Sequence, residues 1–484
     1  MIASRHQTGM ATVLTVALGT FMCSFDSNAV NMALPLMQRA FGSTIAAAEW
    51  VPVAYLLALS ASLLAFGRLA DMWGHRRLYV AGFIGFTVSS LLAAFSPTMA
   101  ALIGSRVLQG VSASLMMSSA NALILGAVPA ERRGRSLGMM AMAIALASCA
   151  GPALGGLLAT TFGWKSIFLV NLPVGILGTL LALRLVARDS AREPGRFDPL
   201  GASLIVSALA ALLLSLDMFS AGAARSLVTW ILLGAAVLLA GLFVLAERRA
   251  GSPLLPLDLF SIRAFAAGNA AAAMFYLSLF IMVFLGPYFL QGLRGLSPSA
   301  SGLMMLPMSA ALMVSAPISG ALSDRFDGRW LSCGGMILVA AAEALFGWFA
   351  GDTPSWLIIV AFAVIGAGMG AFQTPNNSAV MGSLPAGARG VGGAALATTR
   401  NVGMALGVAL SAALLASGMA ARGFHLSLAA ASAPGWAGAF TSATRVTCLA
   451  AAAAALAAGL LSLARSPKEI SLRDERVPAT AAGA

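Results

Sequence analysis

Four ionisable side chains stand well inside long apolar runs: Asp26, Arg106, Asp217 and Glu343. A charge at the centre of a membrane helix costs roughly 2.5–3.5 kcal/mol on insertion scales, so each needs a reason. Asp26 lies in Ser24-Phe25-Asp26-Ser27-Asn28. Desolvation disfavours the charged form of such a carboxyl, which suits a group that takes up and returns a proton. The same residue could also attract a cationic substrate, or simply hydrogen-bond a neighbouring helix. Arg106 precedes Val107-Leu108-Gln109-Gly110. As a permanent cation it would tune the proton affinity of any acid it approached, or else pin its helix by snorkelling. Glu343 is central in one apolar segment, Asp217 is near the end of another, and Glu49 starts a third.

A second group of polar residues forms a turn between two apolar runs, Gly67-Arg68-Leu69-Ala70-Asp71-Met72-Trp73-Gly74-His75-Arg76-Arg77. Asp71 follows the C-terminal end of its own helix, where a carboxylate is unfavourable. It is expected to pair with Arg68, Arg76 or Arg77, or with another helix's N-terminus. A weaker copy is Gly320-Ala-Leu-Ser-Asp324-Arg325-Phe-Asp327-Gly328-Arg329. A third stretch, Gly151-Pro152-Ala153-Leu154-Gly155-Gly156, carries no reactive group. Its proline invites a kink, and its glycines permit close backbone approach.

Enzyme chemistry has no foothold. His6, His75 and His425 form no cluster, and no phosphate-binding G-x-x-x-x-G-K-[ST] loop occurs. Cys23, Cys149, Cys333 and Cys448 lack metal-site spacing. No cofactor or metal is expected.

The elements that position these residues are membrane helices. The 484 residues are 59% hydrophobic and only 10% charged, too few charges to cover a soluble surface. About fourteen apolar segments emerge, each near the ~20 residues that span a bilayer. The net charge of +12 comes from residues in short loops, which argues for a membrane surface and against nucleic acid. Most Lys and Arg, with Arg400 counted among them, fall in loops on one side, so both termini are expected in the cytoplasm. Gly110 through Gly134 matches Gly366 through Gly390 without a gap, setting Asn121 opposite Asn377 and Pro129 opposite Pro385. The repeat is parallel. It divides the chain into a first half (1–187), a linker with an inserted helix pair (188–262), a second half (263–466) and a tail (467–484).

The chain resembles a major facilitator superfamily transporter of the fourteen-helix drug–proton antiporter branch. Gly67–Arg77 is similar to the signature between helices 2 and 3, Arg106–Gly110 to that of helix 4, and Gly151–Gly156 to the antiporter signature of helix 5. Asp26 with Asn31 and Ala33-Leu34-Pro35 resembles the helix 1 motif. Gly163-Trp164-Lys165 through Asn171-Leu172-Pro173-Val174-Gly175 resembles the next motif, with Lys165 where arginine is usual. The resemblance implies an all-helical fold of two parallel six-helix repeats with two added central helices. It implies that Asp26 is a proton or cation site facing the central cavity, that Arg106 serves proton relay, and that Asp71 latches the cytoplasmic side. The Gly151–Gly156 helix would lie between the halves. Three departures stand out: the second charged turn has Asp327 where the first has Gly74, Arg106 falls opposite Phe362, and Asp26 opposite Ser278.

The expected function is proton-driven efflux of lipophilic drugs or antibiotics, cationic ones included, across a bacterial inner membrane by a monomer. The coupling residues would be Asp26, Arg106 and Glu343. The alternatives are a proton-coupled uptake symporter for a small solute and a non-transporting membrane receptor.

Overall fold

The computed structural model describes residues 2–129, 132–187, 198–220, 226–249, 257–385, 389–424 and 433–465. Within them, nothing is described of the side chains of Arg68, Asp71, Asp217, Asp324 and Arg325. The described residues are helical throughout and contain no strand. In lipid the backbone must satisfy its own hydrogen bonds, and a helix does so within one segment.

The first half comprises α1 (Ile2–Phe41), α2 (Ile45–Trp73), α3 (His75–Ala94), α4 (Met99–Ala127), α5 (Arg133–Phe162) and a broken sixth span, α6 (Ser166–Leu169) with α7 (Asn171–Leu185). The inserted pair is α8 (Pro199–Ser220) and α9 (Leu227–Arg249). The second half holds α10 (Arg263–Pro287, continued by a π-helical turn at Tyr288–Leu293), α11 (Pro298–Arg325), α12 (Gly328–Phe346), α13 (Ser355–Gly382), α14 (Arg389–Ala420) and α15 (Trp436–Leu463). Among the described residues, twelve helices are long and apolar enough to cross a membrane. The other two of the expected fourteen, α2 and α8, carry shorter apolar stretches, Ala47–Leu63 and Leu200–Leu212.

Short polar turns start these helices. Thr44, Thr98 and Ser297 each accept a hydrogen bond from the backbone N–H three residues on, at 3.1, 3.2 and 3.2 Å. That satisfies one donor the helix cannot satisfy itself. Between α2 and α3 the whole turn is Gly74, at φ 107°, a conformation that side chains rarely adopt.

The packing repeats. In the first half α1 lies on α5 and α7, α2 on α4, and α3 on α4 and α7. In the second half α10 lies on α14 and α15, α11 on α13, and α12 on α13 and α15. Each pairing of the first half thus returns with the equivalent helices of the second. The halves meet where α5 packs on α11 and α2 on α14, contacts that exchange under the same correspondence. The inserted helix α8 touches both α2 and α14, bridging the seam.

Two placements correct the sequence reading. Arg400 does not lie in a loop. It belongs to α14, eleven residues past that helix's start, or roughly 16 Å along its axis. Polar neighbours such as Thr398, Thr399 and Asn401 disguise the helix as a loop end. Glu343 is not central either; it occupies the last turn of α12, which ends at Phe346.

The second charged turn is ordered locally. Asp327 caps α12, accepting from Arg329 N at 3.0 Å and from Arg329 Nε at 2.9 Å. The Arg329 hydrogen bond holds the Asp327 carboxyl below the usual carboxylate range. Its stabilising contribution is therefore present above the unfolded carboxylate range and lost as pH falls through the lower folded value. Asp327→Ala is expected to cost roughly 0.5–2 kcal/mol as a lost cap, with the partly exposed ion pair adding at most ~1 kcal/mol. Thermal unfolding at neutral pH should show the loss, and the difference from wild type should shrink as pH falls below ~4.

Candidate functional site

Asp26 and Arg106 meet in the interior of the first half, both completely buried. Helix α1 supplies Asp26 and α4 supplies Arg106 with Gln109, one turn apart on one face. Arg106 Nη1 donates to Asp26 Oδ2 at 2.5 Å and also to Gln109 Oε1. Arg106 Nε donates to the Val51 carbonyl of α2 at 3.1 Å. The guanidinium carbon lies 4.4 Å from the centre of the Tyr55 ring, a cation–π arrangement.

The second carboxylate oxygen is held by two amides. Gln109 Nε2 donates to Asp26 Oδ1 at 3.1 Å, and Asn171 Nδ2 donates to it at 2.8 Å. The same two amide nitrogens reach Ser90 Oγ of α3, at 2.8 and 3.4 Å. Asn171 arrives there because the sixth span breaks at Val170 and α7 restarts with Asn171. Asp26 thus accepts from three side chains of two other helices. This is the geometry of a buried carboxylate whose charge is matched and hydrogen-bonded.

The seam between the halves is built from glycine. A Cβ on Gly156 of α5 would lie 2.3 Å from the Pro298 carbonyl oxygen of α11. A Cβ on Gly302 of α11 would lie 2.1 Å from the Pro152 carbonyl oxygen of α5. Gly151 and Gly155 face the other way, onto α1: added Cβ atoms there would fall 2.5 Å from Asn28 Cβ and 2.8 Å from Ala29 Cα. Helix α5 therefore touches its own half on one side and the other half on the opposite side, with no room for side chains. Among the described residues, three hydrogen bonds cross the seam: Ser299 N to Thr160 Oγ1 at 3.0 Å, Ser309 Oγ to the Ser148 carbonyl at 3.0 Å, and Gln291 Nε2 to the Met32 carbonyl at 3.0 Å.

Residues 16–408 match the family model of the Major Facilitator Superfamily. The chain belongs to that superfamily. It is 31% identical to the riboflavin transporter RibZ of Clostridioides difficile, over 84% of this chain and 88% of that one. It is 32% identical to the tetracenomycin C resistance and export protein of Streptomyces glaucescens, covering 84% and 76%. It is also 32% identical to the multidrug resistance protein Stp of Mycobacterium tuberculosis, covering 86% and 78%. Among solved structures, a peptide transporter POT in complex with sulfate aligns with a TM-score of 0.67 at 15% identity, over 95% of this chain and 97% of that one. A bacterial homologue of the lysosomal transporter Spinster, in an inward-facing conformation, aligns with a TM-score of 0.65 at 16% identity, over 95% and 97%. These structural likenesses concern the fold. The family and its relatives are transporters, and this major facilitator is a multi-pass membrane protein.

In this family member the residues of the Gly67–Arg77 turn divide. Gly67 faces open space, and Arg76 Nη2 donates to the Leu183 carbonyl of α7, within the same half. Arg77 is exposed. The side chains of Arg68 and Asp71, on which a latch across the halves depends, lie outside the described residues, as does that of Asp217. Asp26 is buried and bonded to side chains of α4 and α7 in its own half. Helix α1 is apolar nearly all round, so its sequence does not reveal which face Asp26 occupies. Glu343 is buried in the second half, away from the Asp26 cluster.

Sequence reasoning missed Ser90, Tyr55 and Arg400. Gln109 and Asn171 stood within motifs already singled out, yet without assigned roles. Ser90 and Tyr55 carry no local signal, since each matters only through what α1 and α4 bring beside it. Arg400 sits on the seam helix α14 close enough to the Tyr55 hydroxyl to act on it electrostatically. Its Nε is buried without a hydrogen-bond partner among the described residues.

Proposed function

We propose that this chain is a proton-coupled exporter of lipophilic compounds, in the drug–proton antiporter branch, working by alternating access in a bacterial inner membrane. The observation that carries the reading is the buried Asp26–Arg106 pair, with Gln109, Asn171 and Ser90 around it. With the α5–α11 seam in contact, the carboxylate is charged and paired. A proton arriving from outside neutralises Asp26, frees Arg106, and changes how α1 and α4 pack. A ligand shifts the balance of states only through differential binding, so drug and proton must favour different states. The glycine seam of α5 and α11 is the surface on which the halves rock, and the Gly67–Arg77 turn with Asp71 closes the cytoplasmic side in the alternate state. The relatives named for drug resistance and export support the same direction of transport.

Arg400 bears on substrate class. It sets a permanent cation on α14 where that helix packs on α2. The Asp26–Arg106 pair is neutral as a unit, whereas the Arg400 Nε is buried without a hydrogen-bond partner among the described residues. Neutral and acidic lipophiles are therefore better suited than cations. Arg400→Ala is expected to weaken export of acidic compounds severalfold and leave neutral ones nearly unchanged, measured as minimum inhibitory concentrations in a pump-deficient bacterium.

The direct test uses everted membrane vesicles from such a bacterium expressing the chain. A compound to which the cells became resistant should discharge an imposed pH gradient, seen as recovery of quinacrine fluorescence. Resistance without any discharge would sink proton coupling. A second reading, carriage of a small nutrient, is favoured by one observation, the similarity to a riboflavin transporter. Accumulation of riboflavin by proteoliposomes under a pH gradient would select it.

A further inference from the structure

The second half contains a carboxyl group that the reading above does not use. Glu343 of α12 is completely buried. Both of its oxygens lie beside one partner, Ser278 Oγ of α10, at 2.8 and 2.9 Å. A single hydroxyl has one proton and can serve only one oxygen at a time. No arginine or lysine bonds to Glu343 among the described residues. It also stands in the last turn of its helix, where the backbone carbonyls make negative charge unfavourable.

The groups around it do not supply a counter-charge. From α15 the Cys448 thiol faces Glu343, while the Arg445 guanidinium is engaged 3.8 Å over the Trp348 ring. Helix α13 has no titratable residue and brings Phe362 against Phe346. On α10 the other titratable groups are Arg263, at its opposite end and bonded to the Ala464 carbonyl, and Tyr276, whose hydroxyl accepts from Gln373. The acidic and basic residues of α11, Asp324 and Arg325, lie at that helix's opposite end. A buried carboxylate without a partner is costly and neutralises instead. The arrangement suits a carboxylic acid that donates to Ser278 Oγ.

Its place in the fold gives this meaning. Helix α10 takes the position of α1, and α12 that of α3. Asp26 on α1 stands opposite Ser278 on α10. The register that sets Gly74 opposite Asp327 sets Ser90 on α3 opposite Glu343 on α12. In the first half the acid is on α1 and the hydroxyl on α3, joined through the amides of Gln109 and Asn171. In the second half the acid and the hydroxyl have exchanged helices and touch directly. The cation is missing as well, because Phe362 occupies the place of Arg106 and Ile365 that of Gln109. One half thus sets its acid against a cation, while the other sets its acid against a hydroxyl alone.

We propose that Glu343, hydrogen-bonded to Ser278, is a second proton-carrying group at the position related to the Asp26 cluster by the internal repeat. Glu343 holds its proton in the conformation in which Asp26 is ionised, and gives it up when α10 and α12 move and water reaches the carboxylate. Each half then carries one exchangeable proton. This rests on the proton-coupled reading, and its test keeps the two separate.

The test is infrared difference spectroscopy of the purified full chain in lipid, between about pH 5 and about pH 9, in the range where protonated carboxyls absorb. Wild type is expected to show two titrating carboxylic acid bands. Glu343→Gln should remove one and Asp26→Asn the other, and Ser278→Ala should shift only the Glu343 band by removing its hydrogen-bond partner. Ser278→Ala also serves if Glu343→Gln fails to fold. A Glu343 band that stays constant at every pH, or no band sensitive to Glu343→Gln and Ser278→Ala, overturns the proposal. A wild type whose only titrating band is the one sensitive to Glu343→Gln and Ser278→Ala would instead overturn the Asp26 reading and leave this one standing.

Discussion

Asp26→Asn is expected to abolish proton-coupled transport and also to reduce the amount of folded protein. The first effect follows from removing the group that exchanges the proton. The second follows from what remains. Arg106 loses its carboxylate partner and stays completely buried, with its Nη2 already lacking a hydrogen-bond partner among the described residues. Removing one member of a buried ion pair costs roughly 3–5 kcal/mol. The stability of a whole domain is typically only about 5–15 kcal/mol, so the single variant should show a large drop in its melting temperature. The double variant Asp26→Asn with Arg106→Gln removes both charges and keeps polar groups that can bond Gln109 and Asn171. It is expected to recover most of the stability and none of the proton coupling. Detergent thermal-shift measurements beside the vesicle assay separate these effects. Coupled transport at the wild-type rate in the stable double variant would sink the role of Asp26.

Gly156→Leu is expected to act through geometry alone. Even a Cβ at this position would meet the Pro298 carbonyl oxygen at 2.3 Å, and backbone cannot step aside as a flexible side chain can. Overpacking of this kind costs about 1–3 kcal/mol. Because ~1.4 kcal/mol is a tenfold change in an equilibrium, the conformation closed at this seam should lose roughly ten- to a hundredfold in population. Gly302→Leu meets Pro152 in the same way and should reproduce the effect from the partner helix. The reporter is a disulfide between cysteines placed at Thr160 and Ser299, whose hydrogen bond of 3.0 Å marks the closed seam. Cross-linking should be efficient in the parent and scarce in either leucine variant, and transport should fall with it. Undiminished cross-linking would mean that the halves do not need this contact to close.

Much of the architecture is legible in the residues. Apolar runs of spanning length force helices, because lipid offers the backbone no partners. The match of Gly110–Gly134 with Gly366–Gly390 declares the repeat, and the packing of α10–α15 follows that of α1–α7. Asp26 and Arg106 stand out singly because each is a charge in an apolar run. The glycines of α5 stand out because lipid-facing helices have no need of them. That two of those glycines turn toward α1 and one toward α11 is a different matter. It depends on which neighbours α5 acquires, not on its own pattern.

A bundle of membrane helices in two related halves, with a few buried charges that demand partners, is written in the residues, because hydrophobicity and span length act locally. Who those partners are is settled by packing. Asp26, Ser90, Arg106 and Asn171 come together from four helices, across as many as 145 residues of chain. Helices that are greasy on every side carry no stripe to announce their inward face. The placement of Arg400 at the seam, and the exchange of acid and hydroxyl between Asp26 with Ser90 and Ser278 with Glu343, were likewise fixed by packing. Each charge there is tolerable only in the spot where another helix meets it.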